Sequence, residues 1–164
     1  MEPHETCEVP SIWVSDEEAR RVMERYTTVA VVGLSSHPEK PSHFVPKYLQ
    51  EQGYTVIPVN PVAKGPLLGR AVYATLRDVP EKIDIVEIFR PSADAPSIVE
   101  DAIAVGAKIV WMQEGIVNNA AAKRAEAAGL IVIMNKCMMK VHRAQFERLA
   151  VPRVVDFGTR PVGH

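Results

Sequence analysis

The fold of this chain turns on Val29 to Leu49, VAVVGLSSHPEKPSHFVPKYL. A short apolar run, Val29-Ala30-Val31-Val32, stops at Gly33, and a loop of small, polar and proline residues leads into a helical pattern starting near Ser42. A buried strand running through a loop into a helix is the opening unit of a parallel α/β sheet. Gly33 lets the backbone turn sharply, Ser35 and Ser36 offer hydroxyl donors, and Lys40 offers charge. The free N–H groups of the following helix point toward an anion. These residues suit a phosphate cradle, and they suit a plain strand-to-helix turn as well.

The rest of the chain repeats one local design. A helical segment ends in glycine and a β-branched strand follows at once, in LQEQGYTVIPV (Leu49 to Val59), AIAVGAKIVWM (Ala102 to Met112) and EAAGLIVIM (Glu126 to Met134). Glycine just past a helix end takes the left-handed conformation that closes the last turn. The strands are apolar without alternation, as expected when both faces are buried. Thr28 to Val32 and DIVEIF (Asp84 to Phe89) bring the strands to five. Strands alternating with helices predict a Rossmann-like, doubly wound five-stranded parallel sheet in three αβα layers. A helix capped by Ser15 and running to about Tyr26 precedes the sheet, with Glu18 completing a capping box. A short helix around His142 to Leu149 follows it. The single domain is expected over residues 15–150, between tails at 1–14 and 151–164.

Composition sets the outer limits. At 164 residues and 47% hydrophobic, the chain can bury one substantial core. Nineteen basic against twenty acidic residues, a net charge of -1, argue against a nucleic-acid partner, which calls for a basic excess. No apolar stretch approaches the ~20 residues that span a bilayer, and the acidic start is unlike a signal peptide. Cys7 and Cys137 are too far apart for a disulfide framework or zinc spacing. A reducing cytoplasm is the expected location, with no membrane. The histidines show no metal-ligand pairing, and His4 with Cys7 forms only a weak HxxC pair in the N-terminal tail.

Ligands of open parallel sheets bind beyond the carboxyl ends of the strands, where strand order reverses. The segments there are Gly33-Leu34-Ser35-Ser36, Asn60-Pro61-Val62-Ala63-Lys64-Gly65, Arg90-Pro91-Ser92, Gln113-Glu114-Gly115 and Asn135-Lys136-Cys137. All are polar or small after apolar strands, which points to one shared crevice. A nicotinamide site is disfavoured, because G-x-G-x-x-G and an acid after the second strand are both missing, and Lys64 invites another phosphate. A Walker loop is excluded for want of GK[ST]. No complete catalytic set is visible.

VGLS, GYTVIPVNP, IVEIFRPS, WMQEG and the last strand running to Cys137 together resemble the family of small, stand-alone CoA-binding proteins. Its fold is similar to the CoA-binding domain of the succinyl-CoA synthetase α subunit, and the likeness spans roughly Ser15 to Leu149. The resemblance implies a small-molecule ligand, coenzyme A or an acyl-CoA. It implies that Gly33 to Ser36 and Lys40 meet the phosphates and that Lys64 contacts CoA beyond Asn60-Pro61. Phe89-Arg90-Pro91 would flank adenine or pantetheine, and Met112-Gln113-Glu114-Gly115 matches an ITEG-like turn that touches the ligand. The synthetase's phosphorylated histidine belongs to a domain this region lacks, so ligase chemistry does not carry over. The family often reads Asp-Arg-Cys where this chain has Asn135-Lys136-Cys137, and often has glutamate where Val141 precedes His142. Pro91 replaces a basic residue found in many members. The expected function is binding without turnover. The alternative is a thiol-reactive protein forming a mixed disulfide between CoA and Cys137, or a nucleotide-cofactor-dependent enzyme.

Overall fold

A computed structural model describes residues 8–146 of the chain. The His4–Cys7 pair, the end of the expected last helix and the C-terminal tail therefore lie outside the described residues. Five parallel strands, β1 (Thr28–Val32), β2 (Thr55–Val59), β3 (Ile85–Ile88), β4 (Ile109–Met112) and β5 (Ile131–Met134), form one sheet in the order β2-β1-β3-β4-β5. The doubly wound sheet expected from the sequence is the one observed.

Helix α1 (Asp16–Arg25) opens on the expected capping box, with Ser15 Oγ accepting from Glu18 N at 3.0 Å and Glu18 accepting from Ser15 N at 3.2 Å. Helices α2 (Pro41–Glu51), α3 (Ala95–Ala104) and α4 (Asn119–Ala127) are the crossovers. Each ends in the same pair of backbone hydrogen bonds around a left-handed glycine. Tyr54 N donates to Leu49 O and Gly53 N to Gln50 O; the pattern recurs at Gly106 and at Gly129. The helix–glycine–strand repeat in the sequence is thus three copies of one C-cap.

Residues 138–146 are helical and form α5. The expectation of a helix from His142 is corrected here: it starts four residues earlier, with Val141 N bonded to Cys137 O at 3.0 Å. The reason is burial, since Met138 and Val141, one turn apart, both enter the core.

Alternate strand residues feed two cores. One face of the sheet, with Ala30, Ile57, Val86, Val110 and Val132, packs on Val99 and Ala102 of α3 and on Ala122 and Ala125 of α4. The other, with Val29, Val31, Val56, Ile85, Trp111 and Ile133, packs on Met23 of α1, Leu49 of α2 and Met138 of α5. Right-handed crossovers that leave β1 in one direction and β3 in the other must lie on opposite faces, which places the reversal between β1 and β3.

Residues 8–14 have no regular secondary structure, yet side chains hold them down. Asn119 accepts from Ser11 N at 2.7 Å and donates to Val9 O at 2.9 Å, while Ile12 and Val14 pack on opposite cores. Among the described residues no helix is long and apolar enough to cross a membrane.

One residue contradicts the apolar character of the sheet. Glu87, between Val31 and Trp111 in the strand register, is completely buried, and neither carboxylate oxygen has a hydrogen-bond partner among the described residues. Burial pushes its carboxyl up to about 8 from an ordinary 4.5. Below about pH 4.5 folded and unfolded chains both hold this proton; above it only the folded chain does, until about pH 8. Stability should therefore fall as pH rises through that window and then level off. Glu87→Gln is expected to flatten this slope and to stabilise the protein at pH 7 by on the order of 1–3 kcal/mol. Urea titrations at pH 5, 7 and 8.5 measure it, and an unchanged slope would refute the assignment.

Candidate functional site

The β1–α2 loop is set by two backbone-restricted residues. Gly33 has φ +99°, and a Cβ there would stand 3.0 Å from Phe89 O and 3.2 Å from Arg90 Cδ. The chain leaving β1 therefore touches the chain leaving β3 with no room for a side chain. Pro46, inside α2, cannot bond back to the carbonyl of Ser42. That carbonyl instead accepts from Ser35 N at 3.0 Å. His43 Nδ1–H donates to Ser35 O at 2.6 Å, and Ser35 Oγ accepts from His37 N at 3.0 Å. Ser35, expected to face a phosphate, thus has its backbone N–H committed to the loop. Ser36 and Lys40 are exposed, with Lys40 at the position that caps α2.

Asn60 joins this loop to the end of β2. Its Nδ2 donates to Leu34 O at 2.9 Å and its Oδ1 accepts from Val62 N at 3.0 Å. Gly33 N completes the junction by donating to Val59 O at 2.8 Å. Beyond β2, Tyr73 pairs with the sheet edge: its N–H donates to Pro58 O and its carbonyl accepts from Asn60 N.

Between β1, β2 and α3 lies a cleft of about 320 Å³. Val32, Val59, Leu76 and Ile98 supply its apolar walls, and Asn60, Pro61, Thr75, Arg90, Asp94 and Asp101 are among its polar and rim residues. Arg90 is fixed by Asp94, whose Oδ2 accepts from Nε at 3.1 Å and from Nη2 at 2.9 Å.

A second group sits at the ends of β4 and β5. Gln113 is buried, bonds Ile88 O through its N–H, and leaves its Oε1 without a partner among the described residues. Glu114 is exposed and accepts from Lys140 Nζ at 2.9 Å; that bond and charge hold the Lys140 ammonium above its ordinary range. Asn135, itself left-handed at φ 63°, accepts from Gly115 N at 2.7 Å and so pins the β4–α4 turn.

The expected site residues therefore separate by position. Gly33, Asn60, Pro61 and Arg90 meet at the strand-order reversal, with Ser35, Ser36 and Lys40 on the adjoining loop. Gln113, Glu114 and Gly115 form the far end of the same edge. Leu34 and Met112 have fully buried side chains, and Phe89 is half-buried against the α1/α2/α5 core, so these three meet a crevice through backbone more than side chain. Lys64 is exposed on the β2–β3 connection, outside the cleft lining. Cys137 is only 6% exposed and packs in the same core as Trp111. The sequence reading passed over Thr75, Leu76, Asp94, Ser97 and Asp101. The spacing of Arg90 and Asp94, four residues apart in the segment that follows β3, is the one signal the sequence offers.

An all-parallel sheet with one strand-order reversal, and a polar-rimmed cleft opening at it, defines a Rossmann-like α/β domain of the crevice-binding kind. Within that class the chain belongs to the CoA binding domain family, whose model it matches over residues 27–143. It is 38% identical over 128 residues to the Bacillus subtilis protein YneT, covering 78% of this chain and 94% of the relative. The solved structure of a hypothetical protein from Pyrococcus horikoshii is similar at 41% identity and a TM-score of 0.78, covering 88% of this chain and 98% of that one. The α subunit of a Pyrococcus furiosus ADP-forming acetate–CoA ligase is 33% identical over 90 residues, 51% of this chain but 19% of the subunit.

Two outcomes follow from this geometry. Gly33→Ala, strained at positive φ and crowded by Phe89 O, should destabilise the protein by on the order of 1–3 kcal/mol, measured by urea unfolding. In a Cys7→Ser background, a thiol reagent should modify Cys137 slowly in the native protein and rapidly once it is unfolded. Equal rates would show that the thiol is not buried.

Proposed function

We propose that this protein binds coenzyme A or an acyl-CoA along the carboxyl edge of its sheet, as a binding module without chemistry of its own. The observation that carries this reading is the meeting of Gly33, Asn60 and Arg90 at the strand-order reversal, beside a cleft, in a CoA binding domain. The adenosine half occupies the cleft, whose apolar walls suit a planar base and whose Thr75 and Ser97 rim suits a ribose. Its volume falls in the usual range of small-molecule sites, about 300–1,000 Å³. The diphosphate lies over the β1–α2 loop, near Lys40 at the start of α2. Lys64 approaches from the β2–β3 connection as a mobile point charge. The pantetheine arm then runs along the sheet edge toward the Gln113-Glu114-Gly115 turn.

In this arrangement affinity is electrostatic at the phosphates and apolar at the base. Isothermal titration should show CoA binding more tightly than AMP, because AMP lacks the diphosphate and the arm. Lys64→Ala should weaken CoA binding about three- to tenfold, as for loss of one solvated charge-assisted contact, while leaving the unfolding midpoint unchanged. CoA binding no tighter than AMP, or indifferent to Lys64, would overturn the proposal.

A further inference from the structure

We propose that Asp94 parks Arg90 away from the ligand, and that a diphosphate binds by taking the guanidinium over from the carboxylate. The inference rests on the reading of the crevice given above and assigns Asp94 the part of a positioning residue that lowers affinity.

Among the described residues Arg90 is the one basic residue in the cleft lining, which also carries the carboxylates of Asp94 and Asp101. Asp101 is engaged from outside by Arg77 Nε at 2.7 Å. The guanidinium of Arg90 is turned to Asp94, with its Nε–H and one Nη2–H converging on the single oxygen Oδ2. In this arrangement Asp101 is paired with Arg77 and Arg90 with Asp94, so among the described residues the lining presents an anion with no uncommitted guanidinium. Yet the Arg90 stem is anchored where an anion would benefit: its Cδ lies 3.2 Å from the position a Gly33 Cβ would take, directly over the β1–α2 loop. From that anchor, rotation beyond Cδ swings the guanidinium between Asp94 and the loop.

Three features make the exchange favourable. The Arg90 and Asp94 side chains are 49% and 42% exposed, so their pair is solvated and weak. A phosphate offers two oxygens in the geometry that the guanidinium fork matches, which one carboxylate oxygen does not. Once released, Asp94 stands immediately before the ten-residue helix α3 and makes no capping bond at present. A carboxylate there is favoured by the helix dipole, so no stranded charge results.

The test compares wild type with Asp94→Asn, Arg90→Ala and the double variant by calorimetry with CoA, and by thermal shift with inorganic pyrophosphate. Asp94→Asn should bind CoA about three- to fivefold more tightly at low salt, the equivalent of up to about 1 kcal/mol for an exposed pair. The gain should shrink as salt is raised and vanish in the Arg90→Ala background. Asp94→Ser, which also removes the carboxylate, should reproduce it. If CoA binds wild type and Asp94→Asn alike, or the gain persists without Arg90, the exchange is overturned while the CoA reading stands. If CoA does not bind wild type but pyrophosphate stabilises Asp94→Asn more than wild type, the CoA reading fails and the exchange stands. If CoA binds none of the proteins and pyrophosphate does not distinguish Asp94→Asn from wild type, both are overturned.

Discussion

The carboxyl edge of the sheet is organised by the contact between Gly33 and the chain leaving β3. β1 and β3 are hydrogen-bonded neighbours, yet their crossovers depart to opposite faces, so the two exit segments diverge from a common point. A side chain at Gly33 would force them apart, because a Cβ would meet the backbone of Phe89. Its absence lets the Arg90 stem lie across the first loop and lets Asn60 reach Leu34 O from the next strand. The cleft exists where it does because three strand ends are drawn together around that one residue.

Many polar residues at the strand ends serve the loops themselves. Asn60 and Asn135 each place a side-chain oxygen on a backbone N–H of a neighbouring turn, and Asn118 accepts from Ala121 N while donating to Ser92 O. Short amides suit this work, since they bond backbone both as donor and as acceptor. Strand-end polarity is therefore a sound guide to where the crevice lies and a poorer guide to which residues face a ligand. Ser35 illustrates the point: its N–H is consumed by the carbonyl that Pro46 frees in α2.

Glu87 shows the opposite relation between sequence and environment. Its strand, IVEI, is buried along its whole length. A carboxylate without a partner in that setting is too costly to stay ionised, so the group keeps its proton instead. The protein thus carries a neutral acid in a central strand, and its stability inherits a pH dependence that no surface charge explains.

How much was legible depended on the range of the physics involved. The capping box at Ser15 and the three glycine-closed helices are decided within a few residues, and apolar runs report burial on both faces, so the sequence by itself determined the parallel, doubly wound sheet. The start of α5 escaped, because Met138 and Val141 are helical through packing against a sheet that a local pattern does not reveal. Thr75 and Asp101 escaped for a related reason: they reach the cleft from the β2–β3 connection and from α3, and only the crossover geometry brings them beside Arg90. The sequence determined the sheet and the edge at which a ligand would lie. Tertiary structure decided which further side chains join Asn60, Pro61 and Arg90 in the cleft lining, because those contacts link residues whose spacing along the chain carries no periodic signal.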